Sequence, residues 1–204
     1  DFRRQSSTPV IVELQLIDSM ADVLRESKWE MRPLLRMMFA SQAFYSDKAM
    51  GRHIKSPVEL LVGTARVMQL PKVDYQNVRF LLAGMGQNLF DPPSVAGWAE
   101  GTDWVNTTLL MARYSAVAAL IKEAKPDLVA LLKEQKFQGA ADVVDHFARR
   151  LLLVELGAEK RKELIAFLGQ LPPSSGWAGQ EKEINAKLVS LRVLLATSPE
   201  YQVG

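Results

Sequence analysis

Apolar residues recur at three- and four-residue spacing along almost the whole chain, and no stretch alternates apolar with polar between hairpin signals. That period lines up one face of an α-helix, whereas a half-buried strand needs a period of two. Val10, Leu14, Ile17, Ala21 and Leu24 form the first such face, opened by Thr8 as N-cap and Pro9 at the first helical position. A second helix is predicted over about residues 30–45, through Met31, Leu34, Leu35, Met38 and Phe39. Ser56-Pro57-Val58-Glu59 is a capping box with proline at N1, and opens a helix running to about Gln69. Asp74 caps the next, which closes near Gly84 or Gly86. Further helices are predicted over about residues 103–122, 126–134, 140–156, 159–168 and 181–197, with Gly157 as a left-handed C-cap between two of them. The expected fold is all-α, a bundle of about eight or nine helices forming one domain over residues 1–204.

Composition narrows the chemistry. The 204 residues include no Cys and two His, with Lys+Arg 25 against Asp+Glu 23. Cysteine nucleophiles, disulfides and thiolate metal sites are excluded, and a multi-histidine metal site is not expected. A net charge of +2 gives no reason to expect nucleic acid or an anionic membrane as partner. No run of apolar residues is long enough to span a bilayer. The chain opens at Asp1 and passes from Thr8-Pro9 straight into helical periodicity, which reads as the C-terminal part of a longer polypeptide.

Residues 87–102 interrupt the helical pattern with Asp91-Pro92-Pro93, Gly97-Trp98 and Gly101. Helix connections are usually shorter, and a long apolar one packs its own side chains. Leu89, Phe90, Val95, Trp98 and Trp104 are therefore expected to be buried, with Asp91, Glu100 and Asp103 nearby. The loop reads first as a tryptophan-pinned plug over the core, and second as a groove for a glycan or peptide. Pro172-Pro173-Ser174-Ser175-Gly176 is a second loop, polar enough to be simple surface. Glu59 and Arg66, seven apart, share a helical face, but the capping box already accounts for Glu59. His53 lies in a turn with no metal-ligand partner at helical spacing, and Asp142 with His146 forms an i, i+4 pair typical of a helix surface. Leu35–Tyr45 and Leu191–Tyr201 repeat Leu, Arg, Ala and Tyr in register, as two helix endings over which an aromatic folds back.

Three segments together resemble one family. Lys55-Ser56-Pro57-Val58-Glu59-Leu60-Leu61-Val62-Gly63 with Arg66, then Gly86–Trp98 followed by Gly101 and Trp104, and the closing Ala196–Gln202 are similar to the domain of unknown function 1800 family. Phe44-Tyr45-Ser46 fits the same pattern, while Ser94 and Ala99 depart from it at loop positions where Asn and Pro are common. The resemblance implies a bacterial, exported protein, periplasmic or at the cell surface. It also implies a neighbouring gene for an exported protein resembling alkaline phosphatases and sulfatases. It carries no known reaction, catalytic residue, cofactor or metal.

Two functions remain open from sequence. One is an interaction or assembly module that uses the Pro-Pro…Gly-Trp loop and an adjoining helix face, its partners being the rest of its own chain or the neighbouring exported protein. The other is a ligand-binding or hydrolytic domain for a glycan, phosphate ester or sulfate ester. Its pocket would lie under the loop and be lined by Glu59, Arg66, Gln87, Asp91, Trp98, Trp104 and Arg113. A polar pocket converging on Glu59, Arg66 and Arg113 separates the second from the first.

Overall fold

A computed structural model describes residues 11–46 and 49–204. The chain divides into two units, Asp1–Met50 and Gly51–Gly204. In the first, α1 (Ile11–Glu26) and α2 (Met31–Ala40) pack side by side across a turn where Lys28 and Trp29 adopt positive φ. No residue of α2 is buried, and Trp29, Met31 and Phe39 are exposed. The second helix stops at Ala40 rather than near residue 45, because Ser41 turns extended and its Oγ donates to the Met38 carbonyl at 2.7 Å. A short hydroxyl side chain offers the backbone this alternative to another helical turn. The Thr8-Pro9 cap and Val10 lie outside the described residues.

The second unit holds α3 (Pro57–Val67), α4 (Tyr75–Gly84), α5 (Thr107–Glu123), α6 (Leu128–Leu131), α7 (Ala140–Leu151), α8 (Ala158–Leu168) and α9 (Glu181–Ala196). Short 3-10 turns occupy Gly101–Trp104, Ser174–Gly176 and Pro199–Tyr201. Among the described residues there is no strand, only an isolated antiparallel bridge between Ile54 and Val203, so the all-α expectation holds. None of the described helices is long and apolar enough to cross a membrane.

Helices α5 and α9 pack together at the centre; α3 and α4 lie on α5, α6 and α7 on α9, and α8 covers α7 and α9. Their inward residues form one apolar cluster that includes Leu60, Leu61, Val117, Ile121, Phe147, Leu188 and Leu195. Each side chain of this size contributes about 1.5–3 kcal/mol on burial. The local signals for helix starts are realised at Ser56 and Asp74, and also at Asn106 and Asp127, each of whose side chains accepts a first-turn amide.

Several expected boundaries move. The helix predicted from Asp103 begins at Thr107, because Asn106 Oδ1 accepts the Leu109 N–H at 2.9 Å and sets the start there. The stretch predicted over residues 126–134 shortens to Leu128–Leu131, and that over 140–156 ends at Leu151. Gly157 is not a left-handed cap: its φ is −57°, and it precedes α8 in extended geometry. Gly169, with φ +63°, is the glycine that closes α8. The 172–176 loop is more than surface, since Ser174 bonds Phe137 and Gln135 and positions Trp177, which is buried and stacked on Phe137. Asp142 does not pair with His146; its carboxylate accepts the Gln138 N–H at 2.7 Å. The two similar helix endings diverge as well, Tyr201 being buried and Tyr45 exposed.

Candidate functional site

The site begins with the capping box. Ser56 Oγ accepts the Glu59 N–H at 3.3 Å, and Glu59 Oε2 accepts the Ser56 N–H at 2.7 Å. A carboxylate tied to its own helix start cannot swing away, and the helix N-terminus favours its charge. The same Oε2 lies 2.9 Å from His53 Nε2, reached through a turn rather than along the helix. Burial raises the energy of the Glu59 charge, but the bonds from His53 and Ser56 outweigh it and hold the carboxyl below its usual range. Gln87 Oε1 then accepts the Val58 N–H at 2.9 Å, satisfying a further free amide of α3. The first residue of the long loop is thereby fastened to the start of another helix.

The loop is held at several other points. Gly86, at φ +88°, turns the chain out of α4 in a conformation a residue with Cβ avoids. Trp98 Nε1 donates to the Asn88 carbonyl at 3.2 Å, Asn88 Nδ2 to Asp91 Oδ2 at 2.9 Å, and the Gly97 N–H to the Ser94 carbonyl at 3.0 Å. Trp104 is 4% exposed and stands apart from the main apolar cluster, as a satellite core under the loop. The loop's apolar side chains do not all follow it inward. Phe90 is 95% exposed and Val95 fully so, against the expectation that both are buried. Phe90 also sits at φ +63°, a left-handed conformation unfavourable for an aromatic residue.

Between the 53–56 segment and the second half of the loop lies a cleft of about 470 Å³. His53, Ile54, Ser56, Gln87 and Trp104 line it, together with residues 96–101. Of the seven residues chosen from sequence, Gln87, Trp98 and Trp104 face this cleft, and Glu59 touches it through His53 and Ser56. Asp91 is exposed and engaged with Asn88, and Arg66 is exposed two turns along α3. Arg113 is fully buried behind the segment that carries His53. Glu59, Arg66 and Arg113 do not converge in one polar pocket, the arrangement that would separate a ligand-binding domain from an interaction module. His53 was legible only as a turn residue and Ser56 only as a cap; their six- and three-residue separations from Glu59 were the available signal.

Arg113 acts on the cleft from behind. Its Nε donates to Gln202 Oε1 at 2.9 Å and its Nη2 to the Lys55 carbonyl at 2.7 Å, while no carboxylate pairs with it among the described residues. The chain end is laid along residues 53–55 by the Lys55 N–H to the Gln202 carbonyl and the Gly204 N–H to the His53 carbonyl, at 2.9 and 2.7 Å. Lys55 Nζ donates to the Tyr201 carbonyl at 2.7 Å and lies 4.2 Å from the centre of that ring. Burial, and then Arg113, push the Lys55 pKa down, with Glu59 opposing. Tyr201 closes the cluster, its hydroxyl 2.8 Å from Thr64 Oγ1. A second buried cation, Arg192, donates to the Met68 carbonyl at 3.0 Å and lies 4.8 Å from the Phe147 ring; burial and Arg150 push its pKa down to about 10. Both guanidinium groups serve as fixed donors to backbone and amide oxygens. Among the described residues, no group of three or more His, Asp or Glu is placed to hold a metal ion.

Fold and site together define an all-α unit with a cleft at the start of α3, bordered by the 87–102 loop, and with residues 202–204 laid against the 53–55 segment. The chain belongs to the family described as Protein of unknown function (DUF1800), whose model matches residues 6–203. No curated protein and no solved structure matches it.

Proposed function

We propose that this chain is a helical interaction module of an exported bacterial protein, docking through the outer rim of the 87–102 loop. One observation carries the reading: the loop is fastened to α3 through Gln87, closed on itself by the Trp98 bond to Asn88 and followed by the buried Trp104, yet holds Phe90 and Val95 out in solvent. A fastened loop loses little further entropy on binding, so its exposed apolar tips convert burial into affinity efficiently. Burying a phenylalanine and a valine contributes about 1.5–3 kcal/mol each. The periplasmic or cell-surface setting belongs to the same proposal and rests on the family resemblance, as does the choice of partner: the alkaline phosphatase- or sulfatase-like exported protein encoded alongside.

Co-expression of the two proteins, followed by size-exclusion chromatography with light scattering, tests the reading. The wild-type chain is expected to elute in a complex. A Phe90→Ser/Val95→Ser variant should lose the complex while its melting temperature stays within about 2 °C, since exposed positions contribute little to stability. Absence of a wild-type complex, or an equally strong complex with the variant, overturns the proposal.

A further inference from the structure

We propose that the cleft between residues 53–56 and 96–101 binds an uncharged sugar unit of a glycan, stacked on Trp98. The inference stands on the cleft lining alone and is independent of any partner at the loop's outer rim.

Three features of the lining select this class. First, Trp98 is half-buried in the cleft wall, and its indole N–H is already given to the Asn88 carbonyl at 3.2 Å. What the ring offers to the cleft is therefore apolar surface, held in one orientation, which suits the C–H face of a pyranose. Second, residues with polar side chains line the same cleft: His53, Ser56, Gln87 and Glu100. Gln87 Oε1 is committed to the Val58 N–H, which turns its amide into a fixed donor. A few placed polar groups around an apolar wall are the usual make-up of a small-molecule site. Third, the residues lining the cleft include Glu100 but neither Lys nor Arg. Lys55 spends its ammonium on the Tyr201 carbonyl and ring, Arg113 is buried against Gln202 and the Lys55 carbonyl, and Arg66 lies outside the cleft. A phosphate or sulfate ester would meet the Glu100 carboxylate with neither Lys nor Arg in the lining to offset it, and like charge at short range disfavours binding. The volume of about 470 Å³ accommodates a ligand of one to two sugar rings.

Titration calorimetry and saturation-transfer NMR on the intact chain, with cellotriose and chitotriose as probes, test the proposal. At least one trisaccharide is expected to bind, with saturation transferred to its ring C–H protons. Trp98→Ala should weaken that binding at least tenfold and Glu100→Gln several-fold, whereas Arg66→Ala should leave it unchanged. Glu100 is exposed and makes no side-chain hydrogen bond among the described residues, so Glu100→Gln decides the matter should Trp98→Ala fail to fold. Glucose 6-sulfate and Nα-acetyl-lysine amide serve as charged competitors. No binding of either trisaccharide at about 10 mM, a concentration above the dissociation constant of ordinary weak complexes, unchanged binding in Glu100→Gln, or tighter binding of either charged competitor overturns the proposal.

Discussion

Replacing Arg113 with methionine removes a buried positive charge together with the two hydrogen bonds that hold the chain end behind the cleft. The side chain is 0% exposed, and its bonds run to Gln202 Oε1 at 2.9 Å and to the Lys55 carbonyl at 2.7 Å. Two terms oppose each other. Burying a guanidinium without a carboxylate is costly, and an apolar side chain of similar length escapes that cost. Against this, hydrogen bonds to a charged donor are worth about 1.5–3 kcal/mol each, and the two acceptors left behind each carry a desolvation penalty of about 1–3 kcal/mol. Gln202 keeps its bond to the Ala196 carbonyl, so its side chain is not free to swing out and find water. The second term is therefore expected to win, leaving a net loss of about 2–4 kcal/mol. For a chain of this length that corresponds to a melting temperature lower by roughly 4–16 °C. Arg113→Lys should recover only part of the loss, because an ammonium cannot span both acceptors in the plane of a guanidinium. Hydrogen exchange locates the effect: the Lys55 and Gly204 amides, which bond the chain end to residues 53–55, should lose protection well ahead of α5 and α9. A variant as stable as wild type, or one whose Lys55 and Gly204 amides stay protected, would refute the reasoning and show that the charge penalty dominates.

Two further outcomes follow from the packing and the charges. Trp104→Ala should destabilise the second unit by about 3–5 kcal/mol in chemical denaturation, the cost of truncating a buried tryptophan; an unchanged midpoint would mean that the loop is not anchored there. His146 packs edge-on against Phe137 and Phe147 at 5.3 and 5.5 Å, and burial, then Arg150, Arg149 and Arg192, lower its pKa. The unfolded chain thus binds this proton more readily than the folded one, so stability falls as pH drops through the ordinary histidine range and the loss is complete below the folded value. His146→Phe should flatten that part of the profile of melting temperature against pH, and an identical slope in the variant would remove His146 as its source.

Much of the secondary structure was legible, and the site much less so. The Ser56 capping box and the Asp74 cap could be read directly, because each closes within four residues and depends on nothing distant. The boundaries at Ala40 and Thr107 were not read, since Ser41 and Asn106 divert the backbone through side-chain bonds that compete with helical continuation. Trp98 and Trp104 could be chosen because a long apolar loop must bury some of its side chains, and Gln87 as lining of a pocket under it; all three line the cleft. Phe90 and Val95 belong to the same loop and obey the same composition argument, yet they point outward. Hydrophobicity sets the gain from burial but does not choose which side chain receives it.

By itself, then, the sequence determined the helical period, the helix caps, the break at residues 87–102 and membership of the family, all of which rest on neighbours a few residues apart or on ordered short motifs. Only the tertiary structure decided that Val58 meets Gln87 across 29 residues, that Arg113 meets Gln202 across 89 and that Thr64 meets Tyr201 across 137. Each of these polar groups has many possible partners at such separations. The choice among them falls to the packing of the helices, which brings one pair together; for the two buried pairs, at Arg113 and Thr64, an unmade bond would cost more than the alternatives can return.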